Sequence, residues 1–190
     1  MKTNIYFVRH AHATFIPNQE KTRPLSRRGK KDSIKITETL SSASIDFVIS
    51  SPYLRAIQTV EGVAHKFGKE IILNKHFKER TLASESVSDF QQAIYKVWED
   101  PNFSWPGGES NVAAQTRSVT ALLETLKTYQ GSNIVIRTHG NIMVLMMSYF
   151  NSTYGFDFWL QLQMPDIYKC TFIGTKLVSV QHIPLELGQQ

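Results

Sequence analysis

Short apolar runs alternate with longer segments of helical spacing along this sequence, and the alternation predicts an α/β fold with a largely parallel central sheet. The apolar runs cover residues 5–8, 46–49 and 133–136. Each run is short enough for a buried strand and is followed by polar residues. A chain of 190 residues with 42% hydrophobic residues suits one domain spanning residues 1–190.

Three helices and a closing hairpin complete this prediction. Serine favours the first position of a helix because its hydroxyl accepts an otherwise unpaired backbone N–H. The predicted helices run from Ser26 to about Leu40, from Ser51-Pro52 toward Phe67, and from Ser110 to about Thr128. The hairpin is predicted over Thr171 to Val180, with Gly174 at its turn.

Composition and charge limit the cellular context. Subtracting 16 acidic from 21 basic residues gives +5, but the basic residues are scattered, so we expect no nucleic-acid partner. The single cysteine, Cys170, excludes an internal disulfide and is expected to be a core thiol. No signal-peptide pattern is present, and the apolar stretch at 142–147 is too short for a bilayer, so we expect a cytoplasmic protein without a membrane partner. The tail from Pro184 to Gln190 is expected to be peripheral.

Polar side chains follow each predicted strand. Arg9 and His10 follow the first run, Arg55 lies one helical turn beyond the second, and the third leads into "RTHG", which contains His139. Because the carboxyl ends of parallel strands share one rim of a sheet, we expect these side chains to converge. Arginine binds phosphate oxygens with paired donors, and histidine can attack phosphorus. The pattern therefore predicts a site for a small phosphorylated substrate.

Several short motifs occur in a fixed order and together resemble the histidine phosphatase superfamily, also called the phosphoglycerate mutase-like family. They are Arg9-His10-Ala11, Leu25-Ser26 with Gly29, "SSPYLRAIQT" from Ser50 to Thr59, "KER" ending in Arg80, "PGGES" from Pro106 to Ser110, and "THG" ending in Gly140. The resemblance implies a three-layer α/β/α domain with a mostly parallel sheet. It also implies a phosphoric monoester hydrolase of the histidine acid type, without a metal or other cofactor.

The resemblance also assigns roles to individual residues. It implies that His10 is the nucleophile of a phosphohistidine intermediate and that Arg9, Arg55 and His139 form the phosphate pocket, with His139 also catalytic. Glu79 matches the family's proton donor. An attacking histidine must be neutral at the attacking nitrogen, so we predict an acceptor beside the other nitrogen of His10.

The first motif departs from the family pattern. Ala11 replaces the common glycine, His12 an acidic residue and Ala13 a hydroxyl-bearing residue, and Asn18 lies two places later than the family's asparagine. Because of these changes, the sequence does not determine which residues contact phosphate at the edge of the pocket. An Arg-His-Ala start also occurs in the protein-phosphohistidine phosphatase branch, which remains an alternative function.

Three further alternatives are open. Phosphoglycerate mutases of the family are generally longer, so the chain length favours a phosphatase. His10 and His12 have the spacing of a metal-binding pair, but no aspartate cluster lies nearby in sequence, so metal-dependent hydrolysis is less favoured. A noncatalytic phosphate-binding module is less favoured because His10 and His139 are both present.

Residues 80–108 are expected to determine substrate choice, since they separate the candidate acid from "PGGES". Aromatic side chains in this segment are candidates to line a pocket mouth, and core packing is the alternative for each. They are Phe90, Tyr95, Trp98, Phe103 and Trp105. The "PGGES" motif is assigned no chemistry beyond opening a helix.

Overall fold

One sheet of six strands forms the centre of the fold in the computed structural model, which describes residues 1–17 and 19–185. The strands are β1 (Lys2–Arg9), β2 (Phe47–Ser50), β3 (Ile71–Leu73), β4 (Asn133–Thr138), β5 (Asp166–Ile173) and β6 (Lys176–His182). Their order across the sheet is β3-β2-β4-β1-β5-β6. Strands β1 to β4 pair in parallel, whereas β5 and β6 add antiparallel pairs. Asn18 and the tail beyond residue 185 lie outside the described residues.

Helices cover both faces of the sheet. They are α1 (Arg27–Thr39), α2 (Leu54–Lys66), α3 (Phe90–Glu99), α4 (Asn111–Thr128), α5 (Gly140–Phe150) and α6 (Phe156–Gln161). Successive strand residues point to opposite faces. Val8 and Val135 pack with the residues of α1 and α2, whereas Phe7 and Ile136 pack with those of α4 and α5. This arrangement confirms the three-layer α/β/α prediction.

Two of the three predicted helix starts are confirmed. The hydroxyl of Ser26 accepts the N–H of Gly29 at 3.1 Å, and that of Ser110 accepts the N–H of Ala113 at 3.1 Å. These bonds satisfy donors in the first turn that have no partner within the helix. Position 29 must be glycine, because a Cβ there would collide with the backbone carbonyl of His12.

The predicted start at Ser51 is wrong. Helix α2 begins at Leu54 after Tyr53, without a side-chain cap bond. The Ser51 hydroxyl lies 2.9 Å from Nε2 of His139, so it bonds to this ring at the carboxyl edge of the sheet and does not cap α2. The N–H of Leu54 donates instead to the carbonyl oxygen of Lys21 at 2.9 Å.

The closing hairpin and the core thiol are confirmed. Strands β5 and β6 extend beyond the predicted hairpin, and Gly174 at the turn has a φ of 58°. Glycine adopts this left-handed conformation without steric cost. Cys170 lies in β5 with 1% of its surface exposed, and burial raises its pKa to about 12. No helix in the described part of the chain is long and apolar enough to cross a membrane.

Candidate active site

His10 lies directly after β1 and is nearly buried, with 8% of its surface exposed. Its Nδ1 is 2.8 Å from the carbonyl oxygen of Ala11. A carbonyl only accepts, so Nδ1 carries the hydrogen, and in the neutral ring Nε2 then keeps its lone pair. The acceptor predicted beside His10 is therefore present, and it is the backbone of the next residue.

Arg9 reaches the same rim from the last position of β1. Its Nη1 donates to the carbonyl oxygens of Leu162 at 2.8 Å and Gln163 at 3.0 Å. A Cβ built on Gly140 would lie 3.2 Å from Nε of Arg9, so the guanidinium packs against the residue that follows His139. Glycine at this position permits the close approach.

His139 is fully buried where β4 meets α5, and its ring joins the predicted groups. Nη2 of Arg55 is 3.4 Å from its Nδ1, and the ring centroids of His139 and His10 are 5.4 Å apart. Burial, and then the charges of Arg137 and Arg55, lower the pKa of His139 well below its ordinary value. The imidazole is therefore neutral near pH 7.

Glu79 lies partly buried beside the same cluster. Its Oε1 accepts the N–H of Arg80 at 2.8 Å, and its Oε2 accepts the backbone and side-chain N–H groups of Asn141 at 3.3 and 3.4 Å. Asn141 belongs to the first turn of α5. The charge of Glu79 raises the pKa of both Arg9 and Arg55 against the larger effect of their burial. The structure therefore brings together all five predicted site residues.

An ion pair holds the chain beside Glu79. Arg117 of α4 pairs with Glu109 and donates to the carbonyl oxygen of Lys78 at 3.2 Å. The N–H of Glu109 in turn donates to the carbonyl oxygen of Thr81 at 2.8 Å. The "PGGES" motif, which contains Glu109, therefore fixes the segments on both sides of the candidate acid.

Two residues of the loop before α1 reach the site although the sequence did not predict them. Glu20 forms an ion pair with Arg55 through Oε1, and Nη2 of Arg23 lies 2.9 Å from Glu20. Arg55 is 1% exposed; burial lowers its pKa, and Glu20 partly offsets this effect. The carboxylate thus occupies a side-chain N–H donor of Arg55. Single charges in an irregular loop carry no periodic signal, so sequence analysis could not find them.

His12 has a different surrounding from His10. It is exposed, and its Nδ1 lies 2.9 Å from the hydroxyl of Ser26, the cap of α1. Across residues 1–17 and 19–185, no three histidine, cysteine, aspartate or glutamate side chains are grouped so that they could hold a metal ion. His12 therefore connects the loop after β1 to the start of α1.

Part of the predicted aromatic segment lies beside the candidate acid. Nε1 of Trp98 donates to Oδ1 of Asn141 at 3.3 Å. The rings of Tyr95 and Trp98 pack against Phe156 of α6, with centroids 5.8 and 6.1 Å apart. The other predicted aromatics do not join this group: Phe103 and Trp105 contact each other, and Phe90 is exposed.

Fold and site together define an α/β protein whose arginines and histidines meet at the carboxyl ends of parallel strands. A family model narrows this class: the histidine phosphatase superfamily (branch 1) matches residues 5–176. The chain belongs to this superfamily, as the order of its motifs predicts.

Curated relatives of this chain include probable phosphoglycerate mutases. The probable phosphoglycerate mutase GpmB of Salmonella choleraesuis is 24% identical over 158 residues, which are 76% of this chain and 73% of that protein. The protein of the same name from Salmonella newport is 23% identical over the same shares.

Solved structures share the fold at low sequence identity. Mycobacterial glucosyl-3-phosphoglycerate phosphatase has a TM-score of 0.77 and 15% identity, covering 99% of this chain and 100% of that one. Phosphoserine phosphatase from Entamoeba histolytica, solved with phosphoserine, has a TM-score of 0.78 and 18% identity, covering 95% and 96%. YhfR of Bacillus stearothermophilus has a TM-score of 0.76 and 19% identity, covering 99% and 98%. The shared fold spans nearly the whole chain.

Proposed function

We propose that this protein is a metal-independent phosphomonoester hydrolase that forms a phosphohistidine on His10. The bond between Nδ1 of His10 and the Ala11 carbonyl carries this proposal, because it leaves the Nε2 lone pair for attack. Arg9, Arg55 and His139 lie beside it with N–H donors for phosphoryl oxygens.

In the first half-reaction, Nε2 of His10 attacks phosphorus in line with the leaving oxygen. The phosphorus–nitrogen bond forms, the phosphorus–oxygen bond to the leaving group breaks, and Glu79 donates its proton to that oxygen. The arginines and the His139 N–H stabilise the charge that develops on the other phosphoryl oxygens. The products are the alcohol and phosphohistidine.

In the second half-reaction, water attacks phosphorus from the side that the alcohol has left. The Glu79 carboxylate, ionised by its first step, takes the proton of the water. The phosphorus–nitrogen bond breaks and its electron pair returns to Nε2. Inorganic phosphate leaves, and neutral His10 and protonated Glu79 are restored.

Turnover of 4-nitrophenyl phosphate tests this proposal. We expect His10→Ala to lose activity by on the order of 10³-fold or more, and His12→Ala, the matched control, to retain most of it. Quenching during turnover should trap a phosphoenzyme that is labile to acid and stable to alkali. A chelator should leave the rate unchanged. Equal rates for wild type and His10→Ala would contradict the proposed nucleophile.

A mutase is the second candidate, because the matching Salmonella relatives are named probable phosphoglycerate mutases. A mutase returns the phosphoryl group to a second hydroxyl, whereas a phosphatase gives it to water. Incubation with 3-phosphoglycerate distinguishes the two. We expect inorganic phosphate, and accumulation of 2-phosphoglycerate without phosphate release would assign the mutase reaction instead.

A further inference from the structure

Arg137 is an unusual residue for the inside of a parallel sheet. It lies in β4 between Val8 of β1 and Ser50 of β2, in the register of both ladders, and none of its surface is exposed. A guanidinium keeps its proton in proteins, so this position places a positive charge in the protein interior.

The charge of Arg137 is not neutralised by a neighbouring carboxylate. In the described part of the chain it takes part in no ion pair, and its Nε and Nη2 have no hydrogen-bond partner. Its Nη1 lies 3.3 Å from Nε2 of His139. Burial of an unpaired charge destabilises a fold, so a contribution to stability does not account for this arginine. Its contact with His139 is the feature that needs an explanation.

The groups around His139 determine which ring nitrogen holds the hydrogen. Two donors face Nε2, namely Nη1 of Arg137 and the hydroxyl of Ser51 at 2.9 Å. Ser51 Oγ accepts the N–H of Tyr53 at 3.4 Å, which leaves its own hydrogen for Nε2. A guanidinium has no acceptor, so Nε2 bonds to Arg137 only by accepting. A neutral imidazole that accepts at Nε2 carries its hydrogen on Nδ1.

The Nδ1 side of the ring faces the candidate phosphate pocket. Nη2 of Arg55 lies there at 3.4 Å, and Arg55 already donates to Glu20. When Nδ1 carries hydrogen, it and the guanidinium are both donors and do not bond to each other. A single acceptor placed between them satisfies both, and a phosphoryl oxygen is such an acceptor.

We propose that Arg137 is a positioning residue that fixes His139 as the neutral tautomer with hydrogen on Nδ1, so that His139 and Arg55 donate to the same phosphoryl oxygen. The identity of that acceptor rests on the proposed function, but the tautomer does not. Arg137 acts through His139 and does not touch the substrate.

The charged and titratable surroundings of His139 oppose a second proton on its ring. The groups packed against it are His10 after β1, Tyr53 and Arg55 at the start of α2, and Arg137 of β4. The charges of Arg23 and Arg117 also lower its pKa. The two carboxylates of the region, Glu20 and Glu79, act on Tyr53 and Arg55. We therefore expect the neutral tautomer to persist at mildly acidic pH.

Nuclear magnetic resonance of protein labelled with ¹⁵N-histidine tests this assignment without substrate. The ring ¹⁵N shifts of His139 distinguish its two neutral tautomers and the protonated form. We expect wild type to keep hydrogen on Nδ1 from about pH 5.5 to about pH 8. Arg137→Met should convert His139 to the other tautomer, to a mixture, or to the protonated form as the pH falls. Arg137→Gln, which keeps an N–H donor without the charge, should restore the wild-type tautomer near neutral pH.

Binding of vanadate, a phosphate analogue, supplies a second measurement. Arg137→Met should weaken it about tenfold, whereas Arg27→Met, at an exposed position of α1, should leave affinity and tautomer unchanged. A wild-type His139 with hydrogen on Nε2 or on both nitrogens overturns the inference, and this result does not depend on whether a variant folds. Unchanged shifts and unchanged vanadate affinity in Arg137→Met overturn it as well. If His139 carries its hydrogen on Nδ1 but neither wild type nor any variant hydrolyses a phosphomonoester, only the proposed function fails.

Discussion

Nδ2 of Asn141 lies 3.4 Å from Oε2 of Glu79, and the orientation of this amide is fixed from its other side. The indole Nε1 of Trp98 can only donate, so the amide atom that faces it at 3.3 Å is Oδ1. The donor Nδ2 must then face Glu79. The position of the candidate acid is therefore set by α5 and, through Asn141, by the aromatic side of α3.

Replacement of Glu79 should affect substrates according to their leaving groups. Glu79→Gln keeps the shape of the side chain but cannot donate a carboxylic proton. Because Glu79 also activates water in the second half-reaction, the constant to compare is kcat/KM, which reports only the steps up to release of the alcohol. We expect kcat/KM for alkyl phosphates to fall by about 100-fold to 10,000-fold, and kcat/KM for 4-nitrophenyl phosphate to fall much less because nitrophenolate leaves without protonation. Steady-state kinetics over a series of leaving groups measures this difference. An equal loss across the series would show that Glu79 is not the proton donor.

Replacement of Glu20 should strengthen phosphate binding. Its carboxylate pairs with Arg55, so an incoming phosphoryl group must displace it. Glu20→Gln removes the competing charge, and we expect the inhibition constant of inorganic phosphate to fall about two- to fivefold. Glu99→Gln is the matched control, because Glu99 pairs with Lys96 on the surface of α3. Weaker phosphate binding by Glu20→Gln would instead assign Glu20 a supporting role in the pocket.

The free energy of unfolding should decrease as the solution becomes acidic. Because the pKa of His139 is lowered by burial and by Arg137 and Arg55, the unfolded chain takes up this proton at higher pH than the folded protein. The contribution is complete above about pH 6.5 and is lost between that pH and the lowered folded pKa, at about 1.4 kcal/mol per pH unit. Urea unfolding across this range measures it. His139→Gln should reduce the slope of the free energy of unfolding against pH by the equivalent of one proton. An unchanged slope would contradict a buried neutral His139.

Cys170 should be unreactive in the folded protein. Its pKa is raised to about 12 by burial, and the thiolate is the reactive form. An aromatic disulfide reagent at neutral pH should therefore modify this thiol only at the rate of unfolding, and rapidly in concentrated urea. Fast modification of the native protein would show that β5 opens locally.

The strand ends could be predicted because the relevant rule is local. A polar residue that follows a run of apolar residues lies at the carboxyl end of a strand, and the carboxyl ends of parallel strands meet at one edge of the sheet. This rule located His10, Arg55 and His139 correctly. This rule could not find Glu20 and Arg23, because their positions depend on how one irregular loop folds over α2. No spacing in the sequence indicates how that loop folds.

Helix α5 illustrates a second limit. Its residues from Gly140 to Met147 are all buried, so the segment has no polar face and no helical periodicity. A short apolar stretch of this kind fits a buried strand as well as a buried helix. The misplaced cap at Ser51 has a related cause, since its hydroxyl is used by a residue 88 positions away. A local sequence pattern does not show that a side chain will bond to a residue that is distant in the sequence.

The pairing of β1 with β4 has a consequence for biosynthesis. The amides of Asn4 and Asn133 bond at 2.8 Å although they are 129 positions apart in the chain. A ribosome therefore releases the amino-terminal strand long before its central neighbour exists, and closing so large a loop slows folding. The growing chain contains His10 but not His139 until most of translation is complete. His10, after β1, and His139, after β4, therefore come together only once the middle of the sheet has assembled.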